Sequence, residues 1–100
     1  MVKKSVVWTQ TAQKQRRAIL KYWTVRNGST LYAEKLIELI KERVEFIAKN
    51  PQAGKPTNHS DTREAALGNF SIYYKLETKK VIITAFWDNR QNPKKLIKLL

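Results

Sequence analysis

The apolar residues of this chain change their period twice, and that order constrains the fold more than any single motif. Residues 2–8, with Val2, Val6, Val7 and Trp8, form a short β-branched and aromatic run that reads as a strand. A helix is expected from Thr9 or Thr11 to Arg26, with Ala12, Ile19 and Trp23 and their neighbours Leu20 and Tyr22 as its stripe. Asn27-Gly28 supplies a left-handed stop, and Ser29-Thr30 a cap for the next helix. That second helix is the clearest pattern in the chain. Ala33, Leu36, Ile37, Ile40, Val44 and Ile47 recur on one face until Lys49-Asn50-Pro51 ends it. With so few residues between them, the two helices should form an antiparallel hairpin.

The period then drops to two. After a loop at 51–61, strands are expected at Thr62–Leu67, 70–77 and 81–88. Gly68-Asn69 has tight-hairpin composition, and Glu77-Thr78-Lys79-Lys80 makes a polar second turn. Phe70, Ile72, Tyr74 and Leu76 alternate with Ser71, Tyr73, Lys75 and Glu77, so one face of that strand is buried. Residues 81–87 are apolar almost throughout and belong inside the sheet. Residues 93–100 are expected to form one or two turns of helix with Leu96, Leu99 and Leu100 inward, or else a tail that orders on a partner. The expected architecture is α+β in the order β-α-α-β-β-β. A helical hairpin packs on one face of a mostly antiparallel four-stranded sheet, in one domain over 1–100.

Several classes of chemistry are excluded. With no cysteine and only His59 as histidine, there is no thiolate zinc site, disulfide framework or histidine cluster. The absence of cysteine suits a reducing cytoplasm. Gly28, Gly54 and Gly68 all have turn explanations, so no phosphate-binding glycine loop is present. No cofactor, metal or membrane partner is expected. The opening residues read as part of the fold and not as a secretory signal.

Charge points the other way. There are 20 Lys and Arg against 8 Asp and Glu, a formal +12, which favours an anionic partner. Arg63 lies on the first strand of the C-terminal meander and Arg90 just beyond the last. If those strands are neighbours, both guanidiniums could face one phosphate or carboxylate. Lys75, Lys79, Lys80, Lys94, Lys95 and Lys98 would widen that surface, and Tyr73 and Trp87 would offer stacking platforms beside it. The plainer alternative is a solvated basic rim, with Arg63 paired structurally to Glu64 or Asp88.

These residues resemble the RelE/ParE superfamily, the toxin half of bacterial type II toxin–antitoxin modules, nearly end to end. The likeness rests on the opening strand, on Ile19-Leu20-Lys21-Tyr22-Trp23, and on the helix Leu31–Lys49 closed by Asn50-Pro51-Gln52-Ala53-Gly54. Arg63, Phe70-Ser71-Ile72-Tyr73-Tyr74-Lys75 and residues 86–93 complete it. The resemblance implies a growth-inhibiting toxin bound by a small, acidic cognate antitoxin in a hetero-oligomer. RelE-like members are metal-independent, ribosome-dependent endoribonucleases, and in that case Arg63 and Arg90 are the catalytic candidates. ParE-like members are associated with poisoning of DNA gyrase. In either branch the basic rim and its aromatics give Tyr73, Lys75, Trp87, Lys94 and Lys95 as binding candidates.

Three departures weigh on the nuclease form. The arginine typical of the strand at Asn69-Phe70-Ser71 is absent, Thr62-Arg63-Glu64-Ala65-Ala66 lacks the lysines typical of the preceding one, and the tyrosine or histidine often used near the C-terminus has no counterpart after Trp87. No general base can be nominated, Asp88 and Glu64 being the nearby carboxylates. The long helices and the Asn-Pro-x-x-Gly ending favour the ParE-like branch. A non-catalytic basic nucleic-acid-binding domain is the alternative from another class.

Overall fold

A computed structural model describes residues 3–91. The described elements are β1 (Ser5–Trp8), α1 (Gln10–Asn27), α2 (Leu31–Lys49), β2 (Lys55–Pro56), β3 (Thr62–Leu67), β4 (Phe70–Leu76) and β5 (Lys80–Asp88). The expected order is therefore found, with one addition. The loop after α2 contributes a two-residue strand, so the sheet has five strands in the order β1-β5-β4-β3-β2. β2 pairs only Lys55 with Glu64 and Pro56 with Arg63. A pairing that short leaves no periodicity in the sequence. β1 runs parallel to β5, and every other neighbour is antiparallel. The expected tail at 93–100, including Lys94 and Lys95, lies outside the described residues.

Local chemistry accounts for the helix ends. The Thr9 Oγ1 accepts the Ala12 N–H at 3.1 Å and caps α1. At its other end Gly28 takes φ 62°, and Gly28 and Ser29 donate their N–H groups back to the Val25 and Thr24 carbonyls. Ahead of α2, whose N-cap is Thr30, the Ser29 Oγ accepts the Leu31 N–H at 3.2 Å, and the Thr30 hydroxyl donates to the Glu34 carboxylate.

Both helices lie on one face of the sheet. Ala12, Ile19, Leu36, Ile40 and Ile47 pack there against Ala65, Ile72, Tyr74, Val81, Ile83 and Phe86. Tyr22 and Ile37 depart from the expected core: they are 55% and 36% exposed. Each sits roughly 70–80° round its helix from the centre of the buried stripe, at about 100° per residue. No described helix is long and apolar enough to cross a membrane.

An irregularity in β5 fixes what each sheet face displays. Tyr73 pairs with Ala85 and Tyr74 with Ile83, leaving Thr84 without a partner on β4. Such a bulge resets the alternation. Val81, Ile83 and Phe86 face the helices, and Ala85 and Trp87 fall on the other face with Tyr73. Gln15 of α1 supports the reset strand, its Oε1 accepting the Phe86 N–H at 2.9 Å.

Candidate functional site

The expected site residues do not form one cluster. Arg63 stands opposite Tyr74 on β4, and Asp88, two residues before Arg90, stands opposite Phe70. Those positions on β4 are separated by roughly 13 Å at about 3.3 Å per residue. Both arginines lie on the helix side of the sheet, whereas Tyr73 and Trp87 lie on the other face. The expectation that Arg63 and Arg90 face one anion is therefore not met.

Each arginine is also engaged. Arg63 donates Nη1–H bonds to the carbonyls of Gly54 at 2.7 Å and Gln52 at 3.3 Å. Beside it, the Tyr74 hydroxyl donates to the Pro51 carbonyl at 2.8 Å and accepts the Gly54 N–H at 2.9 Å. The Asn-Pro-x-x-Gly turn is thus fastened to the sheet by Tyr74 and Arg63. Gly54 has no alternative there, because a Cβ would lie 2.8 Å from Tyr74 Cε1 and 2.9 Å from Cζ. The partners of Arg63 are backbone carbonyls, not Glu64 or Asp88.

Arg90 grips Asp88 with two charged bonds, Nε to Oδ1 at 2.8 Å and Nη2 to Oδ2 at 2.7 Å. The guanidinium beside it holds the Asp88 carboxyl below the usual carboxylate range, against the opposing effect of burial. The same contact pushes the Arg90 guanidinium up. Its Cζ lies 4.7 Å from the centroid of Trp23 and 5.6 Å from that of Phe70. Arg26 approaches Trp23 at 5.9 Å. Tyr22 and Tyr32 flank the indole at 5.1 and 5.5 Å. Arg90 is therefore a cation fixed on an aromatic bed at the mouth of a cleft of ≈ 620 Å³ between α1 and the end of β5. A guanidinium with Nη1 free of Asp88 can receive an anionic group there. In the sequence Trp23 reads only as a core residue and Arg26 only as the end of the first helix; their signal is the adjacent Tyr22-Trp23 pair with a cation one turn on.

The opposite face holds a polar network. The Ser71 hydroxyl donates to Glu64 Oε2 at 2.5 Å, the Tyr73 hydroxyl approaches the same oxygen at 3.4 Å, and Asn89 Nδ2 donates to Ser71 Oγ at 2.9 Å. Burial first, then the Glu64 charge, pushes the Tyr73 phenol up. Tyr73 and Trp87 are 8% and 7% exposed, packed on Ala85, and do not present open stacking platforms. Lys75 is exposed at the far end of β4. Among the described residues no group of His, Cys, Asp and Glu could hold a metal ion.

Comparison with known proteins bears on the family and the fold. The family described as the ParE toxin of the type II toxin–antitoxin system parDE matches residues 6–93. A solved chain of a chromosomal ParDE toxin–antitoxin system from P. aeruginosa superposes with a TM-score of 0.72 at 26% identity, covering 83% of this chain and 92% of that one. A chain of the RelBE2 toxin–antitoxin complex from Mycobacterium tuberculosis shares the fold at 18% identity, with a TM-score of 0.59 over 85% of this chain and 96% of that one. Curated protein sequences give no match.

Proposed function

Since the chain belongs to the ParE toxin family of type II toxin–antitoxin systems, we propose that it inhibits growth by poisoning DNA gyrase and is held inactive by a small, acidic cognate antitoxin. The observation that carries the choice of target is the separation of Arg63 from Arg90, each already committed to a partner within the fold. Cleavage of RNA by its own 2′-hydroxyl needs a base, a stabilised pentacovalent phosphate and help for the leaving oxygen. Loss of one positioned donor from such a site costs about 3–4 kcal/mol of barrier stabilisation. Arg63 on β3 and Arg90 beyond β5 stand beside opposite ends of β4, each bonded within the fold, an arrangement that favours a toxin that acts by binding.

The reading as a plain nucleic-acid-binding domain finds less support, because Tyr73 and Trp87 are buried. An acidic antitoxin suits the +12 charge: electrostatics speeds its encounter, and apolar anchors supply much of the affinity. Gyrase and antitoxin together place the action in the bacterial cytoplasm.

The test is a cleavage reaction with purified gyrase and plasmid, stopped with detergent and protease. Linear DNA that accumulates with added toxin, and disappears when antitoxin is present, is the expected result. Gyrase activity unaffected by a folded, growth-inhibiting preparation overturns the assignment.

A further inference from the structure

Half of the chain's acidic residues stand on one helix. Glu34, Glu38, Glu42 and Glu45 lie on α2 with Lys35, Lys41, Arg43 and Lys49, so this helix is electrically balanced in a chain of formal charge +12. α1 carries Lys14, Arg16, Arg17, Lys21 and Arg26 and no carboxylate. The balanced helix also shows apolar surface that the core does not use. Leu39 and Phe46, about two turns apart, are 39% and 49% exposed, and with Leu67 of β3 they line a hollow of ≈ 340 Å³. Glu42 and Arg43 complete its lining; both are exposed, and neither joins an ion pair among the described residues. At about 100° per residue, Glu42 lies roughly 50° to one side of the Leu39–Phe46 line and Arg43 roughly 50° to the other.

We infer that this face of α2 docks a second copy of the chain, the two α2 helices lying side by side and parallel about a two-fold axis. A two-fold contact presents the same patch from both sides, so the patch must complement itself. Parallel pairing sets Leu39 on Leu39 and Phe46 on Phe46, and it sets each Glu42 beside the other copy's Arg43. Antiparallel pairing would bring Glu42 to Glu42 and Arg43 to Arg43, which like-charge repulsion disfavours. Charge also selects the occupant. Two copies meeting through α1 would press cationic surfaces together, whereas two α2 faces carry no net repulsion. A phosphate backbone gains little from a balanced surface and would leave Leu39 and Phe46 uncovered. The hollow shares no lining residue with the Arg90 cleft, so this contact and the gyrase reading stand or fall separately.

Two apolar residues and one charge pair per copy make a small contact, so the dimer should dissociate in the range of about 1–100 µM. Sedimentation equilibrium of the purified full chain, over about 1–300 µM at physiological salt, tests this. The expected result is a monomer–dimer equilibrium that Phe46→Glu abolishes. Glu42→Arg and Arg43→Glu should each weaken it roughly tenfold or more, because each creates two like-charge contacts in the dimer. The exchanged variant Glu42→Arg/Arg43→Glu has the composition of the wild type and should recover its affinity to within about threefold. All the changed positions are exposed, and circular dichroism confirms that each variant is folded. A monomer at every concentration overturns the inference. A dimer indifferent to Phe46→Glu places the contact elsewhere and overturns it too. An exchanged variant as weak as the single ones overturns the parallel pairing.

Discussion

Replacing Arg63 with alanine separates a structural arginine from a catalytic one. In the fold, its guanidinium closes the turn after α2 through the Gly54 carbonyl at 2.7 Å and the Gln52 carbonyl at 3.3 Å. A hydrogen bond from a charged donor contributes about 1.5–3 kcal/mol. The longer bond adds little, and water reaches the half-buried side chain, so the net loss should be about 1.5 kcal/mol. For a domain of this size each kcal/mol moves Tm by roughly 4–8 °C, giving a fall of about 6–12 °C. Calorimetry and urea unfolding measure this directly. Arg63→Lys should recover only part of it, because an ammonium presents a compact charge and not a planar fork. Growth inhibition per folded molecule, measured well below the lowered Tm, should persist. An unchanged Tm with growth inhibition abolished would refute the reasoning and return Arg63 to the chemistry.

Other positions test neighbouring parts of the account. Gly54→Ala should destabilise by about 2 kcal/mol through overpacking against Tyr74, and Tyr74→Phe by about 2 kcal/mol by leaving the Gly54 N–H and Pro51 carbonyl without their partner. In urea unfolding, the double variant should lose less than the sum, because both changes act on one contact. Asp88 is held below the usual carboxylate range in the folded protein, so its contribution is present above the unfolded value near 4 and is lost as pH falls through the lower folded value. Asp88→Asn should therefore be less stable than wild type at pH 7, with the gap narrowing as unfolding is measured toward pH 2. Thr9→Ala removes the cap on α1 and should cost about 1 kcal/mol, readable as a shifted urea midpoint with unchanged slope.

The sequence disclosed most where side-chain period and backbone chemistry coincide. Both helices, the Gly28 stop and the hairpin at Gly68-Asn69 follow from residues whose local preference matches their place in the fold. It disclosed least where a position's face depends on a tertiary irregularity. Residues 81–87 carry no alternation, so nothing in them announces that Thr84 bulges and sends Trp87 away from the helices. Alternation correctly put Tyr73 on the face away from the core, but it could not report that Tyr73 and Trp87 pack over Ala85 from adjacent strands. The arginines show the same limit. Residue type announces a donor fork, yet only the fold reveals that Arg63 is taken by backbone carbonyls and Arg90 by Asp88. Tyr22 looked like core because it neighbours Trp23, yet it is exposed and lines the cleft beside Arg90.

The most direct test of a gyrase-directed toxin is inducible expression in a bacterial host, with RNA ends and DNA double-strand breaks read from the same culture. The account predicts DNA breaks and an induced damage response while transcripts stay intact, all suppressed when the antitoxin is co-expressed. Transcripts cut on translating ribosomes without DNA breaks would contradict it.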